Sequence, residues 1–565
     1  MRRPPLGLLS PYLVPLVLAG FVGSSSAQDL SGARLADLVE QTLGAAGVAR
    51  PQGVRSAGTL VELTLDDAVA RSLEKNLDIA VERLNPQTFD FTLAQLYSSY
   101  RPTVTSTFGR NSTVQLPRNQ LTGGQRVESS TLTYNGGLAQ GLRWGGGNLS
   151  LGWANSRGDS NSTFSTFNPQ FNSTLTATYV QPLLRNFRTD QTRSQIRVTN
   201  MNREISEVQL RATITNTVSS VRNAYWDLLF ARQAVDVARR SLSLAEKLVE
   251  DNAVRVEFGT MAPIDVVEAR AEAATRRQQV AQAEALWRTA ELALKRLIVD
   301  GTEDPFWQAE IDPTDRPLFQ PEPIDLDAAI REAISKRTDI TSVRRQRDIN
   351  DANIDLLHNQ ILPSVDVVAT YGLQGIGGTQ LVRNSTIGGN VVETVPGGYR
   401  NALDLLFGRD YPTWNLQLQF SQPLGQSAAA ANYERAKIQL QQTRAQVNAL
   451  ELQIAAEVTN VALQVQSNET RVEAATAARE LAMQRLEAEE SKFEVGMSTN
   501  FFVVQAQRDL ADAQITELRA ELDYRTSLVD FERVQQTSLT RAGITLVSGG
   551  GGGGGVTSAA AAGGR

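Results

Sequence analysis

The side chains that most often carry catalysis are scarce in this sequence. Its 565 residues include no cysteine and one histidine. Without cysteine there can be no disulfide, no thiolate metal ligand and no cysteine nucleophile. His358 alone cannot build a histidine cluster for zinc. We therefore predict neither a metal site nor a cofactor, and we interpret His358 as a residue on a helix surface.

The remaining polar groups form no recognisable catalytic pattern. A phosphate-binding loop ends in Gly-Lys-Ser or Gly-Lys-Thr. The glycines between Gly375 and Gly378 lack that ending, so we interpret the region 375–411 as a loop. Acids along helices are usually solvated members of ion pairs. The net charge of −6 gives nucleic acid binding no support. The sequence predicts neither an enzyme nor a nucleic-acid-binding protein.

The most distinctive spacing in the chain occurs twice. The segment 255–267, RVEFGTMAPIDVV, aligns without a gap with the segment 492–504, KFEVGMSTNFFVV. Each separates two long runs that are almost free of glycine and proline, the main interrupters of helices. Glycine readily adopts the left-handed conformation that ends a helix. Both segments therefore predict the tip of a long helical hairpin.

The runs beside the tips have apolar residues at alternating steps of three and four, which is the seam of a coiled coil. Only Arg276 breaks the apolar set after the first tip. The helix before that tip would extend about 95 Å from Arg193 to Val256, too long for one compact core, so a tube, bundle or stalk is expected. The seam residues after the first tip are Val266, Ala269, Ala273, Arg276, Val280, Ala283, Trp287, Ala290, Leu294 and Leu297.

The first 27 residues have the features of a secretory signal peptide. Arg2 and Arg3 precede an apolar stretch, and Ser25-Ser26-Ala27 offers a cleavage site. An uncleaved membrane anchor is the alternative, but Pro11 and Pro15 interrupt the apolar stretch. Residues 28–60 are interpreted as an N-terminal extension. The Gly/Ala-rich tail at 546–565 is expected to be disordered.

The rest of the chain reads as a duplication. Repeat 1 spans 61–300, a proline-rich linker spans 301–323, and repeat 2 spans 324–545. Each repeat has a helix, strands in which polar and apolar residues alternate, a Gln-Pro-Leu sequence and then the helical hairpin. The strands of repeat 1 are rich in Thr and Ser, and those of repeat 2 have Tyr, Trp and Phe near their ends with Gln and Asn between. Such strands fit a membrane β-barrel wall or a soluble sandwich. Repeat 1 has four strand segments and repeat 2 has two, so the extra pair either joins the sheet or forms a separate hairpin.

This repeated order resembles the TolC-type outer-membrane efflux protein family. The resemblance extends from Leu60 to about Thr545, and its most specific features are the two tips, the Gln-Pro-Leu sequences at 181–183 and 422–424, and the two helices that begin with Asp-Ala. It implies an α+β membrane protein: a trimeric outer-membrane β-barrel continuous with a long periplasmic α-helical coiled-coil barrel. The expected location is the outer membrane, extending into the periplasm.

The resemblance also implies roles for the two tips. In the family, the tips contact the hairpin of a periplasmic adaptor, and the alternative is that their glycines only cap helices; both can hold. The matching residues are Gly259, Thr260, Met261, Gly496, Met497 and Ser498.

Some family members narrow the periplasmic entrance with aspartates just beyond the tip. Asp265 matches such a position, and in a trimer it would form a ring of three carboxylates that favours cations. An aspartate that stabilises the helix start is the alternative. Repeat 2 departs from this pattern because Phe502 takes the equivalent place, so Phe501 or Phe502 would narrow the entrance with apolar side chains.

The expected function is a passive exit duct of a tripartite efflux or type I secretion system. The duct would be a homotrimer in outer-membrane lipid and would work with a periplasmic adaptor and an inner-membrane transporter. A secreted coiled-coil adaptor or structural stalk is the alternative, which explains the seams but not the strands.

Overall fold

The computed structural model describes residues 60–116, 126–162, 164–315, 319–321, 323–384, 389–425, 427–541, 544–546 and 556–558. The predicted signal peptide, most of the N-terminal extension and most of the tail lie outside the described residues.

Each half of the described chain contains a pair of helices, a set of strands and a long helical hairpin in the same order, but the strand sets differ. In the first half the elements are β1 (Leu60–Leu63), α1 (Leu65–Lys75), α2 (Leu77–Ser98), β2 (Thr103–Gln115), β3 (Val127–Gly141), β4 (Asn148–Ser160), β5 (Phe167–Pro182), α3 (Gln191–Glu257) and α4 (Pro263–Ile298). In the second half they are α5 (Pro305–Gln308), β6 (Glu310–Pro313), α6 (Leu326–Lys336), α7 (Thr338–Ile361), β7 (Ser364–Arg383), β8 (Val391–Val395), α8 (Tyr399–Gly408), β9 (Pro412–Ser421), α9 (Ala428–Glu494), α10 (Asn500–Gln535), α11 (Ser538–Arg541), β10 (Ile544–Leu546) and β11 (Val556–Ser558).

The four long helices match in length between the halves. Helices α3 and α9 each have 67 residues, and α4 and α10 each have 36. At 1.5 Å per residue, α3 and α9 are each about 100 Å long. Both start at a side-chain cap that binds a free N–H of the first turn. Asp190 accepts from the Arg193 N–H and Ser427 accepts from the Ala430 N–H.

The coiled-coil seam is confirmed by burial. Every residue predicted for the seam after the first tip is buried or half-buried, including Arg276. One core surrounds Tyr225 and Leu228 on α3, and a second surrounds Ile454 on α9 and Tyr524 on α10. Among the described residues, no helix combines the length and the apolar character that crossing a bilayer requires.

The linker between the halves also packs. Strand β6 pairs in parallel with β1, and the ring of Phe319 lies 5.1 Å from that of Tyr524. The Tyr225 hydroxyl donates to Asp315 and to the Leu63 carbonyl. Burial and the bond to Asp315 raise the pKa of Tyr225. His358 is exposed on α7, as predicted, beside Tyr433.

Apart from the pairs β1–β6 and β10–β11, the described strands form one antiparallel sheet in the order β2-β3-β4-β5-β7, with β9 and β8 both paired to β7. Strand β9 pairs with residues 364–373 of β7, and β8 with residues 380–383. The extra strand pair of the first half, β3 and β4, therefore joins the sheet. Its turn is closed by the Leu142 N–H, which donates to the Gly147 carbonyl at 2.7 Å.

The interpretation of residues 375–411 as a loop is wrong. Strand β7 continues to Arg383, and β8 and α8 follow. The glycines of β7 are there because α8 packs directly on the strand. A Cβ at Gly375 would lie 1.9 Å from the Ala402 carbonyl oxygen, and one at Gly377 would lie 2.4 Å from that of Gly398. Glycine here permits close approach rather than a turn.

Candidate functional site at the hairpin tips and the sheet

Both hairpin tips end their first helix with the same backbone cap. Gly259 has φ +67° and Gly496 has φ +78°, a conformation that glycine adopts without strain. The Thr260 N–H donates to the Arg255 carbonyl at 2.9 Å, and the Met497 N–H donates to the Lys492 carbonyl at 2.8 Å. These bonds satisfy carbonyls that the helix end leaves free. A Cβ at either glycine would meet nothing within 4 Å, so only the backbone conformation requires glycine.

The two tips pack against each other through a small buried core. This core consists of Leu248, Phe493, Val503 and Val504, with Met261 at its edge. The guanidinium group of Arg255 lies 4.3 Å from the centre of the Phe493 ring and donates to the Phe493 carbonyl at 3.3 Å. The tips of the two halves therefore form one structural unit.

An asparagine pair lies beside this core. The Asn252 side chain is fully buried, and its Nδ2 donates to Asn500 Oδ1 at 2.9 Å. In the described part of the chain, Asn252 Oδ1 and Asn500 Nδ2 are buried without a hydrogen bond. Unsatisfied buried polar atoms cost free energy, so the packed arrangement of the tips is held less tightly than a fully apolar contact would be.

The exposed surface of the tips is rich in large apolar side chains. Large apolar side chains there are half to three-quarters exposed, which is typical of a surface that binds a partner. These side chains are Phe258, Ile264, Val267, Val495, Met497, Phe501 and Phe502.

The residues predicted to contact an adaptor differ in their surroundings. Gly259, Thr260, Gly496 and Met497 are exposed. Met261 is half-buried against the tip core. The Ser498 hydroxyl donates to Glu489 Oε2 at 2.8 Å, and Lys492 lies 2.7 Å from the other oxygen. Hydrogen bonds from Lys492 and Ser498 lower the pKa of Glu489.

The residues predicted to narrow the entrance lie on the return helices. Asp265 is half-buried in the first turn of α4. Phe501 and Phe502 are exposed in the first turn of α10, and their rings meet edge to face with centres 5.6 Å apart.

Sequence reasoning missed a buried ion cluster deeper in the hairpins. Glu272 on α4 accepts from Arg276 Nε at 2.8 Å and, across to α10, from Arg508 Nε at 3.1 Å. Glu272 and Arg276 are each 5% exposed. Burial raises the pKa of Glu272, but the bonds from Arg508 and Arg276 outweigh burial and hold that pKa below its ordinary value. The one visible signal was Arg276, the single polar residue in the seam.

The sheet has two chemically different faces. Side chains alternate between faces along each strand, and the registers align them in rows across the sheet. One row of the apolar face contains Val104, Leu138, Leu151, Ala177, Tyr371 and Trp414. The neighbouring row of the polar face contains Thr103, Ala139, Ser150, Thr178, Thr370 and Asn415.

The two long edge strands of the sheet are uncovered. All ten residues of β9 and nearly all of β2 are exposed. On β9 the apolar face presents Trp414, Leu416, Leu418 and Phe420, each more than 60% exposed. An apolar edge of this length is an aggregation risk unless another strand or a lipid covers it.

The family model for outer membrane efflux protein matches residues 147–298 and 329–534, more than half of the chain. The chain therefore belongs to the outer membrane efflux protein family. This confirms the resemblance and the outer-membrane location, and it makes the protein an outer-membrane exit duct for efflux. The family is one of channels rather than of enzymes.

Solved structures of outer-membrane channels have the same fold. The CmeC outer membrane channel of Campylobacter jejuni is 14% identical to this chain, with 83% of this chain and 85% of that chain covered and a TM-score of 0.58. VceC of Vibrio cholerae is 16% identical to this chain, with 85% of this chain and 95% of that chain covered and a TM-score of 0.58. The open state of the MtrE channel of Neisseria gonorrhoeae is 17% identical to this chain, with 83% of this chain and 88% of that chain covered and a TM-score of 0.57. No curated protein matches the chain.

Proposed function

We propose that three copies of this chain form one passive duct, which works with a periplasmic adaptor and an inner-membrane transporter to export small molecules or proteins. The copies share a closed barrel in the outer membrane, and their helices form a tube below it. The transporter supplies the energy, so the duct itself needs no catalytic residue.

The uncovered edges of the sheet carry this proposal. Strands β2 and β9 each have a free edge, and closing a sheet on itself removes such edges. Along the strand order, β2 and β9 run in opposite directions, so β9 of one copy suits antiparallel pairing with β2 of the next. Three copies supply about eighteen long strands, a number that leaves a water-filled lumen in other barrels.

The two faces of the sheet support the same arrangement. The apolar face presents aromatic and aliphatic side chains, as the lipid side of an outer-membrane wall does. The polar face presents mainly threonine, serine, asparagine and glutamine, which suit a water-filled lumen. A soluble stalk would have no use for an exposed row of Trp414, Leu416 and Leu418.

The apolar surface of the tips suits the adaptor. An exposed patch of large apolar residues at the end of a helical bundle fits the apolar side of a partner helix. This surface includes the exposed residues Gly259, Thr260, Gly496 and Met497. Met261 packs against the tip core beneath it, and Ser498 is hydrogen-bonded to Glu489.

Asp265, Phe501 and Phe502 narrow the entrance in this proposal. A ring of three Asp265 carboxylates would favour cations over anions. The exposed phenylalanines of the second half would contribute an apolar constriction at the same level of the tube.

The test is extraction and conductance of the full-length protein. A duct should require detergent for extraction from membranes, should run as a heat-resistant trimer, and should conduct ions in planar bilayers. Release by washing without detergent, as a species that gives no current, would instead indicate a secreted stalk.

A further inference from the structure

Helix α8 lies on the apolar face of the sheet, beyond the end of β9. The Ala402 and Leu406 side chains are fully buried, and the helix backbone sits directly over Gly375 and Gly377 of β7. These glycines share a face with Tyr371 and Leu373, because residues two apart on a strand point the same way. The helix therefore stands on the side of the wall that faces lipid in the proposed duct.

A polar network fixes α8 to the neighbouring strands. The Tyr399 hydroxyl donates to Asn155 Oδ1 at 2.8 Å, and the Ser173 hydroxyl donates to the same oxygen at 2.7 Å. Trp153 Nε1 donates to Ser173 Oγ at 2.9 Å. The Tyr399 ring also contacts the rings of Tyr134 and Phe171. The helix is thus a built part of the wall.

The position of α8 along the strands matches the edge of a bilayer. The apolar face of β7 runs from Val365 to Leu373, about nine residues, which is the length of a strand that crosses a bilayer at a tilt of about 45°. Helix α8 begins its contacts just beyond, at Gly375. It lies at the end of the strands farther from the long helices, where the outer leaflet would end.

Exposed aromatic side chains continue from the strands onto the helix. Phe407 is 62% exposed and Tyr411 is 59% exposed. They follow the exposed rings of Tyr371 and Trp414, which pair across β7 and β9. Aromatic residues are enriched where a membrane meets water. Arg400 and Asp404, both exposed, are seven and three residues before Phe407 and therefore lie on the same face of the helix. A face that combines an aromatic ring with charged groups suits the headgroup region rather than the hydrocarbon core.

We infer that α8 is an interfacial helix that inserts Phe407 into the outer leaflet. Each copy then contacts the lipid surface through a helix that lies on the lipid-facing side of its own sheet. This inference rests on the proposed orientation of the sheet. The occupant of the exposed side of α8 is lipid at the headgroup level, because that side adjoins the apolar face of the wall and presents Phe407 beside the charged Arg400 and Asp404.

The absence of cysteine allows the test to use single-cysteine variants of the full-length protein. Phe407→Cys would be labelled with bimane and reconstituted into phosphatidylcholine vesicles. Bromine on the lipid acyl chains quenches bimane that touches lipid, and aqueous iodide quenches bimane that touches water. Leu418→Cys on the apolar face is the lipid control, and Gln417→Cys on the polar face is the water control.

The expected result is quenching of the Phe407 label by brominated lipid, to at least half the extent seen for Leu418, and little quenching by iodide. Iodide quenching at Phe407 with lipid quenching at Leu418 would overturn the inference and leave the proposed wall standing. Protection from both quenchers would also overturn it, because a neighbouring copy would then cover α8. Iodide quenching at Leu418 would overturn the proposed wall itself.

Discussion

Asn252 Nδ2 donates a 2.9 Å hydrogen bond to Asn500 Oδ1, across 248 residues of sequence, and joins the tips of the two helical hairpins. The other two polar atoms of these amides are buried without a partner within the described residues. Separating the tips would let water bind all four atoms. The pair therefore holds the packed arrangement weakly, and we expect the tips to separate here if they gate the duct.

Replacing both asparagines should strengthen this contact. Asn252→Leu alone leaves the Asn500 amide unsatisfied and should destabilise the packed tips by about 1–3 kcal/mol. Adding Asn500→Leu removes the unsatisfied amide as well, so the double variant should be at least as stable as the native protein, and the two substitutions should not be additive. Thermal melting of the detergent-extracted protein measures this. In bilayers, the double variant should conduct less than the native protein; equal or higher current would argue against a gate at this pair.

Substitutions at the glycine caps can distinguish two roles of the tips, ending a helix and contacting an adaptor. Gly259→Ala should cost about 1 kcal/mol because alanine disfavours the left-handed conformation. Gly259→Asn should cost less, since asparagine tolerates that conformation. If glycine is needed only as a cap, the asparagine variant should support export as the native protein does. Loss of export by a fully stable Gly259→Asn variant would show that the partner requires a bare backbone there.

The Glu272 cluster should stabilise the hairpins at neutral pH. Glu272→Gln leaves the buried Arg276 without a charged partner, and breaking such a buried pair costs on the order of 3 kcal/mol. The exposed Glu268, one turn earlier on α4, is the matched control. Glu268→Gln should leave the melting temperature unchanged. A Glu272→Gln variant with the same melting temperature as the Glu268→Gln control would contradict a stabilising role for the Glu272 cluster.

The same carboxylate should make stability depend on pH. Because the folded state lowers the pKa of Glu272 below its ordinary value of 4.5, its contribution is complete above that value and is lost as pH falls through the lower, folded-state pKa. The native protein should therefore lose more stability than Glu272→Gln when pH falls below 4.5. Melting curves over this range measure the difference, and parallel curves would rule out the contribution.

The proposed role of Asp265 in gating can be tested by measuring block of the pore current by divalent cations. If three Asp265 carboxylates line the entrance, divalent cations should bind there and reduce the pore current. Asp265→Asn should weaken this block, whereas Glu268→Gln, which removes a nearby exposed carboxylate, should not. Unchanged block in Asp265→Asn would leave this residue as a helix-start aspartate that interacts with the helix dipole.

Local features of the sequence predicted the hairpins well. Contacts between residues far apart in the sequence were not predicted. Gly259 and Gly496 stand out because they interrupt long helical runs, and the seam follows from a regular step. Asn252 and Asn500 are 248 residues apart, and Glu272 and Arg508 are 236 apart, so no local spacing brings them together. Gly375 was misread because glycine marks both a turn and a close helix contact, and only the position of α8 distinguishes these.

Cross-linking between β2 and β9 tests the central claim most directly. With no native cysteine, Ser106→Cys on β2 can be combined with a cysteine at each position from Trp414 to Phe420 in turn, and oxidised in native membranes. A shared wall predicts covalent dimers and trimers on a denaturing gel, with the strongest yield where two cysteines face each other across the joint. Chains that remain monomeric at every position, in membranes where they conduct ions, would contradict a barrel built from several copies.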